Sequence, residues 1–209
     1  MTEAIRLWGT GTSRTFRPIW LAEELGINYE LTPMGPRTGE TQTDAYTRLN
    51  PKQKIPLLTV GERALSESLA ICRYLLATFP GGDLYRPADA WAQAEEDEWC
   101  CYIYGELDET SLYVMRRHGD LGFIYGDAPE VVESAGAYAD RHLGVTSERL
   151  GDRQTLLAGG FGLADLMLMT CLDWAVAYRR TLPDNLATYR ARVAERPAYQ
   201  RAYAANFAS

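Results

Sequence analysis

The sequence is poor in the residues that build metal and redox sites. Among its 209 residues there are only two histidines, and its four cysteines form no C-x-x-C pair. Neither residue type occurs at a spacing typical of a metal site. We therefore expect no metal centre. We expect the cysteines to be reduced thiols packed as small apolar side chains, namely Cys72, Cys100, Cys101 and Cys171.

Positive charge and long apolar runs are also scarce. Lys and Arg together number 21 against 28 Asp and Glu, which gives a formal net charge of -7. This balance disfavours a general affinity for nucleic acid or anionic lipid.

The most apolar stretch, 156–177, contains Asp165 and Asp173, which a membrane span rarely carries. No apolar segment near Met1 indicates a secretory signal, so we expect a cytoplasmic protein that contacts neither membranes nor nucleic acid.

The first 80 residues mix strand and helix patterns. Short runs typical of strands occur at 5–8, 29–32, 57–60 and 64–65. One helical pattern follows the first run and ends at Gly26, and another follows the last run with Ser66 as a candidate N-cap. The order β-α-β, a connecting segment, then β-β-α predicts a small α/β sheet domain over 1–80.

The rest of the chain has the pattern of helices. Pro80, Gly81, Gly82 and Asp83 form a cluster of helix-breaking residues, which predicts a linker over 81–88. Helical stretches then follow at 91–106, 129–150 and 163–180, and the last is apolar on nearly every side, as in the middle of a bundle. The sequence thus predicts an all-helical second domain over 89–209.

Four stretches, in one order along the chain, resemble the glutathione transferase family. They are Thr12–Pro18 with Glu23–Gly26 after it, Asn50–Pro56, Leu65–Ile71 and Gly160–Asp165. The resemblance covers essentially the whole chain. It implies an α/β plus all-α architecture, with an N-terminal thioredoxin-like domain that holds glutathione as co-substrate and a C-terminal helical bundle.

The resemblance also implies which residues hold glutathione. Pro56 is expected in the cis form, so that the backbone of Ile55 pairs with the cysteinyl part of the tripeptide as an added strand would. Glu67 and Ser68, at a helix N-terminus, are expected to bind the γ-glutamyl group, and Lys54 to pair with the glycyl carboxylate. The alternatives are a trans proline before an edge strand, a helix cap with a solvated glutamate, and a solvent-facing lysine.

A hydroxyl in the turn after the first strand is the expected catalytic group, because a hydroxyl donor and a helix N-terminus lower the pKa of a bound thiol. Theta-, phi- and zeta-like members carry a serine fourteen residues before the glycine that ends the first helix. Counting back from Gly26 gives Thr12, with Ser13 beside it and Thr10 two residues before. Thr12 departs from the serine pattern, and an ordinary helix N-cap is the competing interpretation.

A second departure lies in the other half of the chain. The family usually has serine or threonine three residues before a buried aspartate, whereas Gly162 stands before Asp165 here. Glycine is a tolerable N-cap, so we expect that helix to form and Asp165 to be structural. The resemblance further implies a pocket for a second substrate, a small hydrophobic electrophile, and a homodimer.

Three other functions compete with a transferase that adds the glutathione thiolate to an electrophile. The first is a non-catalytic protein of the same fold that binds glutathione, a ligand or a protein partner. The second is a zeta-like isomerase, but Thr12, Ser13 and Arg14 stand where that class has its serine-cysteine turn. A thiol-disulfide oxidoreductase is disfavoured because the active turn contains no cysteine.

Overall fold

The computed structural model describes residues 4–207, whose contacts divide the chain into two units. The first unit contains the chain up to Leu84 and the chain from Ala194 on, and the second contains Tyr85–Val193. The sequence placed everything after residue 88 in one helical domain. In the structure the last helix instead packs within the first unit.

The first unit has the predicted element order around a mixed sheet. Numbered along the chain, its strands are β1 (Ile5–Trp8), β2 (Glu30–Thr32), β3 (Leu57–Val60) and β4 (Arg63–Ser66). They lie in the order β2-β1-β3-β4, with β1 parallel to β2 and antiparallel to β3, and β3 antiparallel to β4. The segment predicted only as a connection also contains a 3-10 turn, Glu40–Gln42, and a short helix. The helices are α1 Ser13–Leu25, α2 Asp44–Leu49 and α3 Ser68–Thr78.

Aromatic packing explains why the last helix, α10 (Pro197–Phe207), joins this unit. Phe16 and Trp20 of α1 are fully buried, and their rings stack with centroids 5.5 Å apart. The ring of Tyr199 meets both edge-on, at 5.2 Å and 5.0 Å. Such pairs add to the free energy gained by burying large aromatic side chains, so α10 is fixed along α1.

The second unit is helical, as predicted. Its longest helix, α7 (Pro129–Leu150), has the predicted bounds, and α8 (Leu163–Ala177) is buried along nearly its whole length. The first helical stretch continues from α4 (Ala90–Tyr102) through a π-helical segment, Ile103–Leu112, which the sequence pattern did not predict. Among residues 4–207, no helix combines the length and apolarity needed to cross a membrane. The other helices of this unit are α5 Tyr113–His118, α6 Gly122–Tyr125 and α9 Asp184–Ala194.

A buried glutamate replaces the missing cap at the start of α8. Asp165 accepts from the backbone N–H of Gly162 at 3.1 Å and of Leu156 at 2.8 Å, and burial raises the pKa of this carboxyl to about 6. Glu96, also fully buried, accepts from the N–H of Leu163 at 3.1 Å. A Cβ at Gly162 would lie 2.8 Å from Glu96 Oε1, so the carboxylate of Glu96 crowds the space that a serine side chain would need.

Two local predictions were wrong. Ser66 is not the N-cap of α3, because Glu67 takes that position and makes no side-chain capping bond. The Ser66 hydroxyl instead accepts from Lys52 Nζ at 2.9 Å. Three of the cysteines are buried as expected, but Cys101 is exposed on α4.

Candidate active site

Strand register brings three of the predicted segments to one edge of the sheet. Trp8, the last residue of β1, pairs with Leu57, the first of β3. Leu57 in turn pairs with Ser66, the last residue of β4. The turn after β1, the Ile55–Pro56 segment before β3 and the Glu67–Ser68 step after β4 therefore leave the sheet at the same edge.

Gly9 allows the first two of these segments to approach each other closely. Its φ of 103° lies in the region that favours glycine. A Cβ at this position would lie 2.6 Å from the Cβ of Ile55 and 2.9 Å from Cγ2 of Thr15, closer than atoms can pack. Only glycine therefore fits between Ile55 and the start of α1.

Thr12 is the N-cap of α1 and takes part in a capping box. Its Oγ1 accepts from the N–H of Thr15 at 3.0 Å, and its own N–H donates to Thr15 Oγ1 at 3.1 Å. The two hydroxyls also lie 3.0 Å apart. Thr12 is thus a helix N-cap, as the competing interpretation predicted. The cap uses the hydroxyl oxygen as an acceptor, and it does not use the hydroxyl proton.

Ser13 is the first residue of α1 and is half-buried. Within residues 4–207 nothing hydrogen-bonds to its hydroxyl or to its backbone N–H. An unpaired hydroxyl and N–H at a helix N-terminus are available to an anionic ligand. The two candidate hydroxyls therefore differ in their hydrogen bonding, since the hydroxyl of Thr12 is engaged in the helix cap and that of Ser13 is not.

The Ile55–Pro56 peptide bond is cis, as the resemblance implied. The preceding carbonyl, of Lys54, accepts from Tyr46 Oη at 2.7 Å and from Asn50 Nδ2 at 2.8 Å, which anchors the segment. None of the described residues hydrogen-bonds to the backbone N–H or C=O of Ile55. Both groups can therefore pair with an extended peptide, while the side chain of Lys54 is exposed to solvent.

Glu67 has an unusual backbone conformation at the start of α3. Its φ is 76°, which is rare for a residue other than glycine and costs about 1–3 kcal/mol. Its carboxylate pairs with Lys52 Nζ at 2.8 Å on the surface, a type of ion pair that contributes little stability. Next to it, Ser68 Oγ accepts from the buried guanidinium of Arg17 at 3.3 Å. A positive charge and an uncapped helix N-terminus thus meet at Ser68, which favours an anion there.

Three residues near the site were not singled out from the sequence, namely Lys52, Arg17 and Asn206. Lys52 lies within one of the recognised stretches, and its contact with Glu67 follows from the β3–β4 pairing. Arg17 sits on the inner face of α1, where an apolar residue is the usual expectation. Asn206 hydrogen-bonds to Thr12 in the turn after β1, although the two residues are 194 positions apart in the sequence. No local pattern indicates such a contact.

The buried thiol of the first unit is unsuited to be a nucleophile. Cys72 lies one helical turn after Ser68 in α3 and is completely buried. Burial raises the pKa of this thiol to about 12, although Arg17 and Arg73 act in the opposite direction. Because the nucleophile is the thiolate, Cys72 is inert at neutral pH. Cys72 is the first unit's single cysteine within residues 4–207, so this unit supplies no reactive thiol of its own to the sheet edge.

Comparisons with known proteins point in the same direction. The family model described as glutathione S-transferase, N-terminal domain, matches residues 3–77. The chain is 30% identical over 166 residues to glutathione S-transferase GstA of Escherichia coli O157:H7, covering 78% of each chain. It is 31% identical over 162 residues to glutathione S-transferase theta-1 of Bos taurus, covering 76% of this chain and 68% of that one.

A solved structure supports the same relationship over almost the whole chain. It is a theta class glutathione S-transferase from the citrus canker pathogen Xanthomonas axonopodis pv. citri, with glutathione bound. The TM-score is 0.80 at 28% sequence identity, and the match covers 96% of this chain and 97% of that one.

Proposed function

The chain belongs to the glutathione S-transferase family and is a glutathione transferase, and we propose that the sheet edge formed by the turn after β1, Ile55 and Glu67–Ser68 is its glutathione site. The observation that carries this proposal is the strand register, which places Trp8, Leu57 and Ser66 side by side. Each of the three segments that leave the sheet there offers hydrogen-bonding groups suited to a different part of an anionic tripeptide.

The γ-glutamyl end is assigned to Glu67 and Ser68. The uncapped N-terminus of α3 and the guanidinium behind Ser68 favour the α-carboxylate. The Glu67 carboxylate accepts from the α-ammonium group, which then takes the place of Lys52 Nζ. The strained backbone of Glu67 supports this role, because such conformations are concentrated at ligand sites.

The cysteinyl residue is assigned to Ile55, whose backbone N–H and C=O pair with the ligand backbone. Pro56 keeps that peptide turned toward the ligand, and the glycyl carboxylate then extends toward Lys54. Lys54 Nζ is an exposed ammonium that supplies charge without a fixed geometry. We therefore expect Lys54→Ala to weaken glutathione binding less than Ser68→Ala does.

The thiol is assigned to the turn that carries Thr12 and Ser13. A free thiol with a pKa of about 8.5 is only a few per cent ionised at pH 7. A hydroxyl donor and the N-terminus of α1 favour the thiolate and so lower that pKa. The thiolate then attacks an electrophilic carbon of a small hydrophobic substrate, while the thiol proton is released to solvent. The new carbon–sulfur bond replaces either the bond to a leaving group, which departs with its electron pair, or the π bond of an activated alkene, whose resulting carbanion takes up a proton.

The experiment is a calorimetric titration with glutathione, followed by the ultraviolet absorbance of the bound thiolate against pH. We expect binding, with a thiol pKa lowered by about one unit or more. Thr12→Ala and Ser13→Ala then identify the donor, since only the variant that removes it returns the pKa toward that of free glutathione. Binding with an unshifted pKa would contradict thiol activation and favour a glutathione-binding protein without turnover.

We further propose that the protein is a cytoplasmic homodimer. An apolar cavity of about 160 Å³ on the first unit supports the dimer, because apolar surface of this kind is often covered by a partner. It is lined by Leu58, Val60, Arg63, Ala64, Leu65 and Tyr74. Sedimentation equilibrium should give twice the chain mass, and Leu65→Glu should shift the protein toward monomer. A monomeric wild type would refute the proposal.

A further inference from the structure

Asn206, near the end of α10, is buried against the turn that carries the candidate hydroxyls. Only 2% of its surface is exposed. Its backbone C=O accepts from the N–H of Gly11 at 2.8 Å, and its Nδ2 donates to the C=O of Thr12 at 3.1 Å. Its Oδ1 accepts from the hydroxyl of Thr15 at 2.8 Å. One residue therefore holds the chain on both sides of Ser13.

These bonds also fix the capping box. The C=O of Thr12 accepts the first helical bond of α1, from Phe16 N–H at 3.0 Å, so Asn206 Nδ2 fills its remaining lone pair. The hydroxyl of Thr15 has a single proton, and Asn206 Oδ1 is its nearest acceptor. With that proton donated to Asn206, Thr15 Oγ1 is left to accept from the N–H of Thr12 at 3.1 Å.

We propose that Asn206 is a positioning residue for the transferase reaction, which holds the Thr12–Ser13 turn in the geometry that stabilises the glutathione thiolate. The proposal rests on the assignment of the thiol to this turn. It makes the last helix part of the activating apparatus, although Asn206 itself does not touch the thiol. A hydroxyl stabilises an anion only when its proton points at the anion, so a turn free to shift loses this effect without losing either hydroxyl.

The test compares Asn206→Ala and Asn206→Asp with the wild type in the full-length protein. Asn206→Ala removes both side-chain bonds. Asn206→Asp keeps an acceptor for Thr15 but places a carboxylate oxygen against the carbonyl of Thr12. We expect each variant to raise the pKa of the bound thiol by at least about half a pH unit and to reduce kcat/KM near pH 6.5 about three- to tenfold. The KM for glutathione should change less than kcat, because Ile55 and Ser68 are untouched.

Ala202→Gly is the matched control. Ala202 lies one helical turn before Asn206 on the same face of α10 and is fully buried, but it makes no side-chain hydrogen bond to the turn. Glycine there weakens the helix by about 1 kcal/mol. An equal rise of the thiol pKa in Ala202→Gly and Asn206→Ala would overturn the proposal, since general loosening of α10 would explain both.

A double-mutant cycle supplies an independent readout. Thr15→Val removes the hydroxyl that donates to Asn206. The rise of the thiol pKa in the double variant Thr15→Val/Asn206→Ala should therefore be smaller than the sum of the rises in the two single variants. Additive effects would refute the proposal, and so would a wild-type pKa shift that persists in Asn206→Ala. If Asn206→Ala does not fold, Asn206→Asp decides the matter, because it keeps the side-chain volume. A wild type that binds glutathione with an unshifted pKa would overturn both this inference and the assigned thiol activation.

Discussion

Gly162→Ser should destabilise the protein, although serine or threonine is usual at this position in the family. The Cβ of the new side chain would lie 2.8 Å from Oε1 of Glu96 and 3.1 Å from Cβ of Tyr85. Both neighbours are held in place, Glu96 by its bond to the N–H of Leu163 and the backbone of Tyr85 by its N–H bond to the C=O of Phe161 at 2.7 Å. Overpacking of this kind costs about 1–3 kcal/mol, which exceeds the few tenths that a serine cap gains over glycine.

Removal of Glu96 should relieve much of the free-energy cost of Gly162→Ser. Glu96→Ala alone leaves the buried N–H of Leu163 without an acceptor, at a cost of about 1–3 kcal/mol, and opens a cavity. In the double variant Gly162→Ser/Glu96→Ala, the serine side chain enters the vacated space and its hydroxyl can cap α8. We therefore expect the two losses to be less than additive by about 1–2 kcal/mol.

The assay is urea unfolding at pH 7 of the wild type, the single variants and the double variant. Glu96→Gln is the control, because it keeps the volume that crowds a serine at position 162. The combination Gly162→Ser/Glu96→Gln should therefore show no relief. A Gly162→Ser variant more stable than the wild type would contradict this prediction, and so would effects of Gly162→Ser and Glu96→Ala that add within about 0.5 kcal/mol.

Further predictions concern the active turn and the pH dependence of stability. Thr12→Ala should lower the free energy of unfolding by about 1 kcal/mol through loss of the cap, whereas Ser13→Ala should leave it unchanged in urea unfolding. Gly9→Ala should abolish detectable glutathione binding in calorimetry, while Gly11→Ala, which also has a positive φ but meets no atom within 4 Å, should retain it. The pKa of Asp165 is raised from 3.8 to about 6, so the native state binds the extra proton and stability should fall by about 2 kcal/mol as pH rises from 4 to 6. Asp165→Asn should remove that component, and a wild type that gains stability relative to this variant over the same range would contradict it.

Local patterns predicted most of the regular elements. The bounds of β1, β3 and α7 follow from alternation, helical periodicity and flanking turn residues, and Gly26 ends α1 in the left-handed conformation expected of a C-terminal glycine. The short elements between β2 and β3 were missed, because a 3-10 turn and a six-residue helix contain too few apolar positions to show a period.

The candidate site was predictable only in part. The motifs located Thr12, Ser13, Ile55 and the Glu67–Ser68 step, and their assigned roles stay predictions until glutathione binding is measured. The motifs could not tell which hydroxyl is engaged in the helix cap. That difference depends on the side chain of Thr15, which closes the capping box from inside the unit.

The sequence by itself determined the order of the elements, the two departures from the family pattern at Thr12 and Gly162, and the segments that form the sheet edge. These features depend on neighbouring residues and on short-range backbone preferences. Only the tertiary structure decided how the departures are accommodated. Asn206 reaches the turn from 194 residues away and Glu96 reaches the start of α8 from 67 residues away, because buried polar groups must find partners and the nearest partner in space is set by packing.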